Sequence, residues 1–148
     1  MTTVRKILDE KAEAKILTIP STATVFEALQ VMCEGNAGAV LITSNEKIVG
    51  IFTERDYARE GEVKGRAAKD TPVTDVMTSQ MVLITPETTL EESAQLMRTY
   101  HVRHLPVVEK ERVIGMVSIR RLAEALLEQE QGTIGKLESY ILGSGYGE

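Results

Sequence analysis

The chain has 148 residues, 43% apolar and 26% charged, and its 17 basic against 22 acidic side chains leave a formal net charge of −5. So high an apolar share at so modest a charge excludes a disordered chain; the acidic balance, with no Trp, four Tyr and two Phe, argues against nucleic acid, which needs clustered Lys and Arg and stacking rings. One cysteine excludes an intrachain disulfide and any multi-cysteine metal site, and with no apolar run near the roughly 18 residues of a membrane span and no signal-peptide stretch, a soluble cytoplasmic protein is expected.

In chain order, residues 16–19 read as a short apolar strand that stops at Pro20, whose missing amide suits a strand end. Thr24 and Glu27 have capping-box spacing, Thr accepting from the backbone three residues on and Glu reaching back. Behind them Val25, Ala28, Leu29 and Met32 share one helical face. Two β-rich runs follow, residues 39–42 and 48–52, joined by polar residues few enough for a hairpin. A second helix opens at Thr53, and residues 60–71 form a polar, Gly-containing linker of mixed charge.

The same succession then returns. Residues 82–85 read as a strand stopped by Pro86, Thr89 and Glu92 as a capping box, and Leu90, Ala94 and Met97 as an apolar face. Residues 105–108 and 113–117 are strands around the polar connector 109–112, and Ser118 opens a helix. Helical pattern runs through residues 120–131 and again through 133–142, where Ile134, Leu137, Ile141 and Leu142 make an apolar stripe. The Gly-rich tail is expected to fray.

Residues 25–57 laid on residues 90–122, a shift of 65, need no gap. Glu27, Gln30, Met32, Glu46, Gly50 and Arg55 fall on identical residues, and Ile-Val-Gly-Ile-Phe at 48–52 lies over Val-Ile-Gly-Met-Val at 113–117. Upstream the best match shifts to 66, implying one extra residue near Ala23. The chain is a duplication with β-α-β-β-α as its unit.

The run Gly50-Ile-Phe-Thr53-Glu-Arg-Asp56, the run Val102-Arg-His-Leu-Pro-Val107 and their duplication resemble a cystathionine-β-synthase (CBS) domain pair, or Bateman module, over about residues 4–128. The stretch 53–59, Thr-Glu-Arg-Asp-Tyr-Ala-Arg, is similar to stand-alone bacterial members. The resemblance implies an α+β fold of tandem repeats in a pseudo-two-fold module. Its parts are repeat one at 4–60, a linker at 61–72, repeat two at 73–128, and a C-terminal helix and flexible tail at 129–148. Such modules bind adenine nucleotides or adenosyl ligands in clefts between the repeats, usually catalyse nothing themselves, and often form disc-like dimers.

The residues have a physical reading of their own. Thr53 sits where a strand hands over to a helix, whose first amides and dipole favour a phosphate. Asp56, one turn in, can accept two hydrogen bonds from a ribose diol, although Thr53-x-x-Asp56 also reads as a plain cap. Gly50 would let the backbone pass close to a ligand. Carried over from the family, Ile51 packs beneath adenine or ribose, Met81 and Val82 flank the adenine, and Arg103 and His104 meet the phosphates through charge-assisted bonds. Arg120 is a further phosphate contact. The bland alternatives are a solvated charge for Arg103 and a packed side chain for His104.

In the second copy Ser118-Ile-Arg-Arg121 puts Arg121 where the diol-binding Asp belongs, and its guanidinium cannot accept a hydrogen bond. One competent site per chain is expected, with Arg121 either filling the second cleft or recruiting an extra phosphate. His101-x-x-His104 is a weak metal signal, Cys33 is expected to be buried as a small hydrophobe, and neither Thr53 nor Ser118 has an evident base partner. The expected function is a non-enzymatic regulatory sensor of AMP or a related nucleotide (ADP, ATP or NAD, with S-adenosylmethionine ranked behind). It would need no catalytic cofactor or metal, act on a separate protein, and dimerise through the helices at 25–34 and 90–100. The competing function is a ligand-free scaffold whose clefts have decayed.

Overall fold

The computed structural model describes residues 1–10 and 16–131. The elements are α1 (Val4–Glu10), β1 (Thr18–Pro20), α2 (Val25–Glu34), β2 (Ala39–Ser44), β3 (Lys47–Thr53), α3 (Glu54–Asp56), α4 (Leu90–Tyr100), β4 (His104–Glu109), β5 (Arg112–Ser118) and α5 (Ile119–Gln131). They fall into two compact units, residues 16–81 and residues 1–10 with 82–131. Among the described residues no helix is long and apolar enough to cross a membrane.

Both expected capping boxes close. Thr24 takes the Glu27 N–H at 3.1 Å while Glu27 takes the Thr24 N–H at 2.8 Å, and Thr89 and Glu92 repeat the exchange at 3.0 and 2.8 Å. Each box satisfies two amides that a helix start leaves open, typically about 1 kcal/mol per cap. Behind them Val25, Ala28 and Met32 are buried in the first unit, and Leu90, Ser93 and Met97 in the second. Ser93 tolerates burial because its hydroxyl donates to the Thr89 carbonyl at 3.0 Å.

In the first unit β2 is central, parallel to β1 and antiparallel to β3. Asn45 and Glu46 make the β2–β3 turn, both left-handed at φ 52° and 66°; Lys110 and Glu111 make the β4–β5 turn at φ 52° and 63°. Two consecutive positive φ values give the hairpin turn whose twist matches the strands. The core here is Ile19, Val25, Met32, Val40, Ile42, Phe52, Val73 and Val76. Its counterpart in the second unit is Ile84, Leu90, Met97, Leu105, Val107, Val117 and Leu122, joined by Val4 and Ile7.

Three sequence expectations change here. No strand forms over residues 82–85; a single parallel bridge, Ile84 to Val107, remains. In the first unit the Leu41 amide donates to the Leu17 carbonyl at 2.9 Å, whereas Pro106 stands at the matching place in β4 and has no amide to give. The expected extra residue near Ala23 also disappears, because Ile19 lies opposite Ile42 just as Ile84 lies opposite Val107, a constant shift of 65. The first strand runs over Thr18–Pro20 rather than 16–19. The expected helix at 133–142 lies outside the described residues.

α1 and the segment after the linker have matching roles. Val4 N–H donates to Thr88 O and Leu90 N–H to Thr2 O, at 2.8 and 3.2 Å; Val73 N–H donates to Ala23 O and Val25 N–H to Thr71 O, at 2.9 and 2.8 Å. Each segment thus lies beside the capping box of its unit and drops two apolar side chains into that core, Val4 and Ile7 or Val73 and Val76. Each comes from the chain preceding the other repeat. Residues read as linker therefore belong partly to the first unit: Tyr57–Glu62 continue α3 as a wide turn, with Val63 N–H reaching Ala58 O at 3.0 Å, and Ala68–Asp70 form a short 3₁₀ turn.

Candidate functional site

The β3–α3 junction gathers Ile51, Thr53 and Asp56. Ile51, 7% exposed, faces Leu41 across the ladder and is clasped from its other edge by Thr78, the two residues exchanging backbone bonds at 2.9 and 2.8 Å. Thr53 caps α3: its hydroxyl accepts the Asp56 N–H at 3.1 Å, and Asp56 Oδ2 accepts the Thr53 N–H at 3.0 Å. Asp56 Oδ1 accepts the Thr78 hydroxyl at 3.1 Å. Burial pushes the Asp56 carboxyl above its ordinary value, against these hydrogen bonds, which favour the ionised form; the Glu60 charge adds to the rise. Each carboxylate oxygen keeps one further lone pair, so an acceptor pair stands preset at a helix start.

Gly50 has a packing role within its own unit. A Cβ there would sit 2.6 Å from Met77 Sδ and 3.0 Å from the Thr78 carbonyl. The absent side chain makes room for the returning segment. Thr78 is not singled out by any sequence motif; its tie to Asp56 spans 22 residues.

In the second unit Arg103, His104 and Arg120 surround the start of α5. The Arg103 carbonyl accepts the Ile119 N–H at 2.8 Å, as the Gly38 carbonyl accepts Glu54 N–H at 3.1 Å in the first unit. Arg103 is exposed, and His104, half-buried, opens β4 opposite Ser118. The Arg120 side chain is 89% exposed, with Nε 3.8 Å from Glu124. Ser118 Oγ accepts the Arg121 N–H at 3.2 Å, but no reciprocal bond can form because Arg121 has no acceptor. The Arg121 side chain is instead 16% exposed and lies 3.9 Å from Glu124. Met81 ends the first unit and Val82 begins the second stretch of the other, packed against its core.

Cys33 is exposed, contrary to its reading as a buried hydrophobe; it lines a groove of about 510 Å³ with Leu29, Met32, Asn36, Gly38 and Glu54. Adjacent positions lie about 100° apart around a helix, so Cys33 faces away from the core that takes Met32. His101 ends α4 in the left-handed conformation, φ 54°, its N–H bonded to Met97 O.

The CBS domain model matches residues 4–62 and 73–128. The chain is 35% identical over 150 residues to the CBS domain-containing protein CBSX3, mitochondrial, of Arabidopsis thaliana, covering 96% of this chain and 73% of that one. A protein with CBS domains from Burkholderia ambifaria MC40-6 has a TM-score of 0.83 at 36% identity, over 90% of this chain and 99% of its own. A CBS domain protein from Pyrobaculum aerophilum, complexed with AMP, has the same fold at TM-score 0.74 and 23% identity, over 85% and 96%.

Proposed function

Because this chain belongs to the CBS domain family and carries the domain twice, we propose that it is a regulatory module that binds an adenine nucleotide and hands the resulting change to a separate protein. The observation that carries this reading is the Asp56 carboxylate, held half-buried at the start of α3 with one donor on each oxygen and lone pairs to spare. Such a pair suits a vicinal diol. Ile51 supplies apolar surface beside it, and Thr53 fixes the helix start. Met81, Val82, Arg103, His104 and Arg120 complete the set that the family resemblance assigns. The AMP carried by the Pyrobaculum protein supports adenine nucleotides as the class and puts AMP first, ahead of ADP, ATP and NAD, with S-adenosylmethionine last. The reading contains no catalytic step. It places the protein in the cytoplasm, where an exposed Cys33 stays reduced, as a homodimer joined through α2 and α4.

A bound nucleotide shifts the module when it binds one arrangement better than another. Thermal denaturation against AMP, ADP, ATP, NAD and S-adenosylmethionine tests the reading, since a native-state ligand stabilises by mass action, about 2.7 kcal/mol at a hundredfold excess over Kd. A selective rise that Asp56→Ala abolishes is expected. The scaffold reading is favoured by Arg121, which stands where an acceptor is needed; it requires a flat panel on protein free of co-purified nucleotide.

A further inference from the structure

Thr78 makes three hydrogen bonds, all to the candidate site. Its N–H and carbonyl clasp Ile51 at 2.8 and 2.9 Å, and its hydroxyl donates to Asp56 Oδ1 at 3.1 Å. Met77 beside it fills the space that Gly50 leaves open. Two consecutive residues that follow the linker are therefore seated on the edge of β3 that leads into α3.

The hydroxyl has a consequence that the backbone clasp lacks. Rotation about the last torsion of an aspartate is soft, with a broad range of settings. Asp56 Oδ2 is fixed by the Thr53 N–H, and that one bond leaves the carboxylate plane free to swing. The Thr78 bond on Oδ1 removes the freedom and sets where the unused lone pairs point. Met81 is only three residues further on, and the chain leaves the unit there. A ligand that pulls on the Asp56 carboxylate thus pulls on the segment by which one unit continues into the other.

We propose that Thr78 is the positioning residue of this site, orienting the Asp56 carboxylate for a ribose diol and tying it to the segment that leads out of the unit. The inference rests on the reading of Asp56 as the diol acceptor, and its test separates the two. Thr78→Val keeps the shape and the backbone clasp but removes the donor; Thr78→Ser keeps the donor. Carboxyl-carbon NMR of Asp56 across pH, without nucleotide, reads the hydrogen bond alone. Isothermal titration with AMP reads the site.

In Thr78→Val the Asp56 titration moves to higher pH, because a donor to the ionised form is lost, and AMP binds about tenfold more weakly, the worth of one hydrogen bond to a charged group. Thr78→Ser restores both. Thr78→Ala serves the same comparison should the valine variant not fold. Wild-type titration and affinity in Thr78→Val overturn the proposal, and so does an equal loss in Thr78→Val and Thr78→Ser. If wild-type protein binds no AMP while Thr78→Val still moves the Asp56 titration, the nucleotide reading fails and the orienting bond stands.

Discussion

Asp56 carries opposing demands in one side chain. As N3 of a capping box it stabilises α3 when ionised, yet burial raises its carboxyl above the ordinary value of 3.8, so the fold as a whole favours the neutral form. The folded state therefore binds the proton more tightly than the unfolded chain. The stabilising contribution is present in full below the unfolded value and is lost as pH rises through the raised folded value. Asp56→Asn, which cannot titrate, should lack this fall: denaturant unfolding across the acid range should show wild-type stability declining relative to the variant as pH rises. Nucleotide binding should run the other way, strengthening over the same range as the acceptor ionises.

At the scale of elements, both hairpin turns hold residues in the left-handed region. Lys110 and Glu111 both hold left-handed φ, a conformation costly for any residue with a Cβ. The β2–β3 turn eases this with Asn at its first place. Replacing Lys110-Glu111 by Asn-Gly should stabilise the second unit by about 1 kcal/mol and raise its Tm by roughly 4–8 °C, measured by calorimetry.

The same elements show what could be read from sequence. Helix starts were legible because Thr24/Glu27 and Thr89/Glu92 announce themselves within four residues, and the hairpins because polar connectors interrupt apolar runs. Apolar residues at 82–85 read as a strand, but whether one forms depends on Pro106, more than twenty residues away. α1 escaped notice because nothing in its first turn marks a start; it has no acidic residue there. The site divides likewise. Thr53 and Asp56 were visible through their spacing and the duplication, whereas Thr78 depends on a contact 22 residues distant that no local pattern encodes.

At the scale of the whole molecule, repeats and units are out of step. The second unit contains the first ten residues of the chain, with Val4 fully buried and Ile7 3% exposed in its core. Arg5 adds an exposed tie, donating to Glu87 and Glu109 at 2.7 Å each, which solvent screens. Apolar burial holds this segment in place. Ile7→Ala should cost about 2–4 kcal/mol through lost contact and cavity. Hydrogen exchange should report that loss in residues 82–131 and leave protection in residues 16–81 unchanged; an equal loss in both would mean the two units melt as one.

This crossing sets an order of events during synthesis. The first unit has all its described parts once Met81 has left the ribosome, and it can fold while translation continues. Val4 and Ile7 leave earlier than any of it, yet their partners Val117 and Leu122 follow more than a hundred residues later. At about 5–20 residues per second, the N-terminal segment spends some 5–20 s as an uncovered apolar stretch. Val4 and Ile7, rather than the exposed loops, are thus where a chaperone or a neighbouring nascent chain finds something to hold.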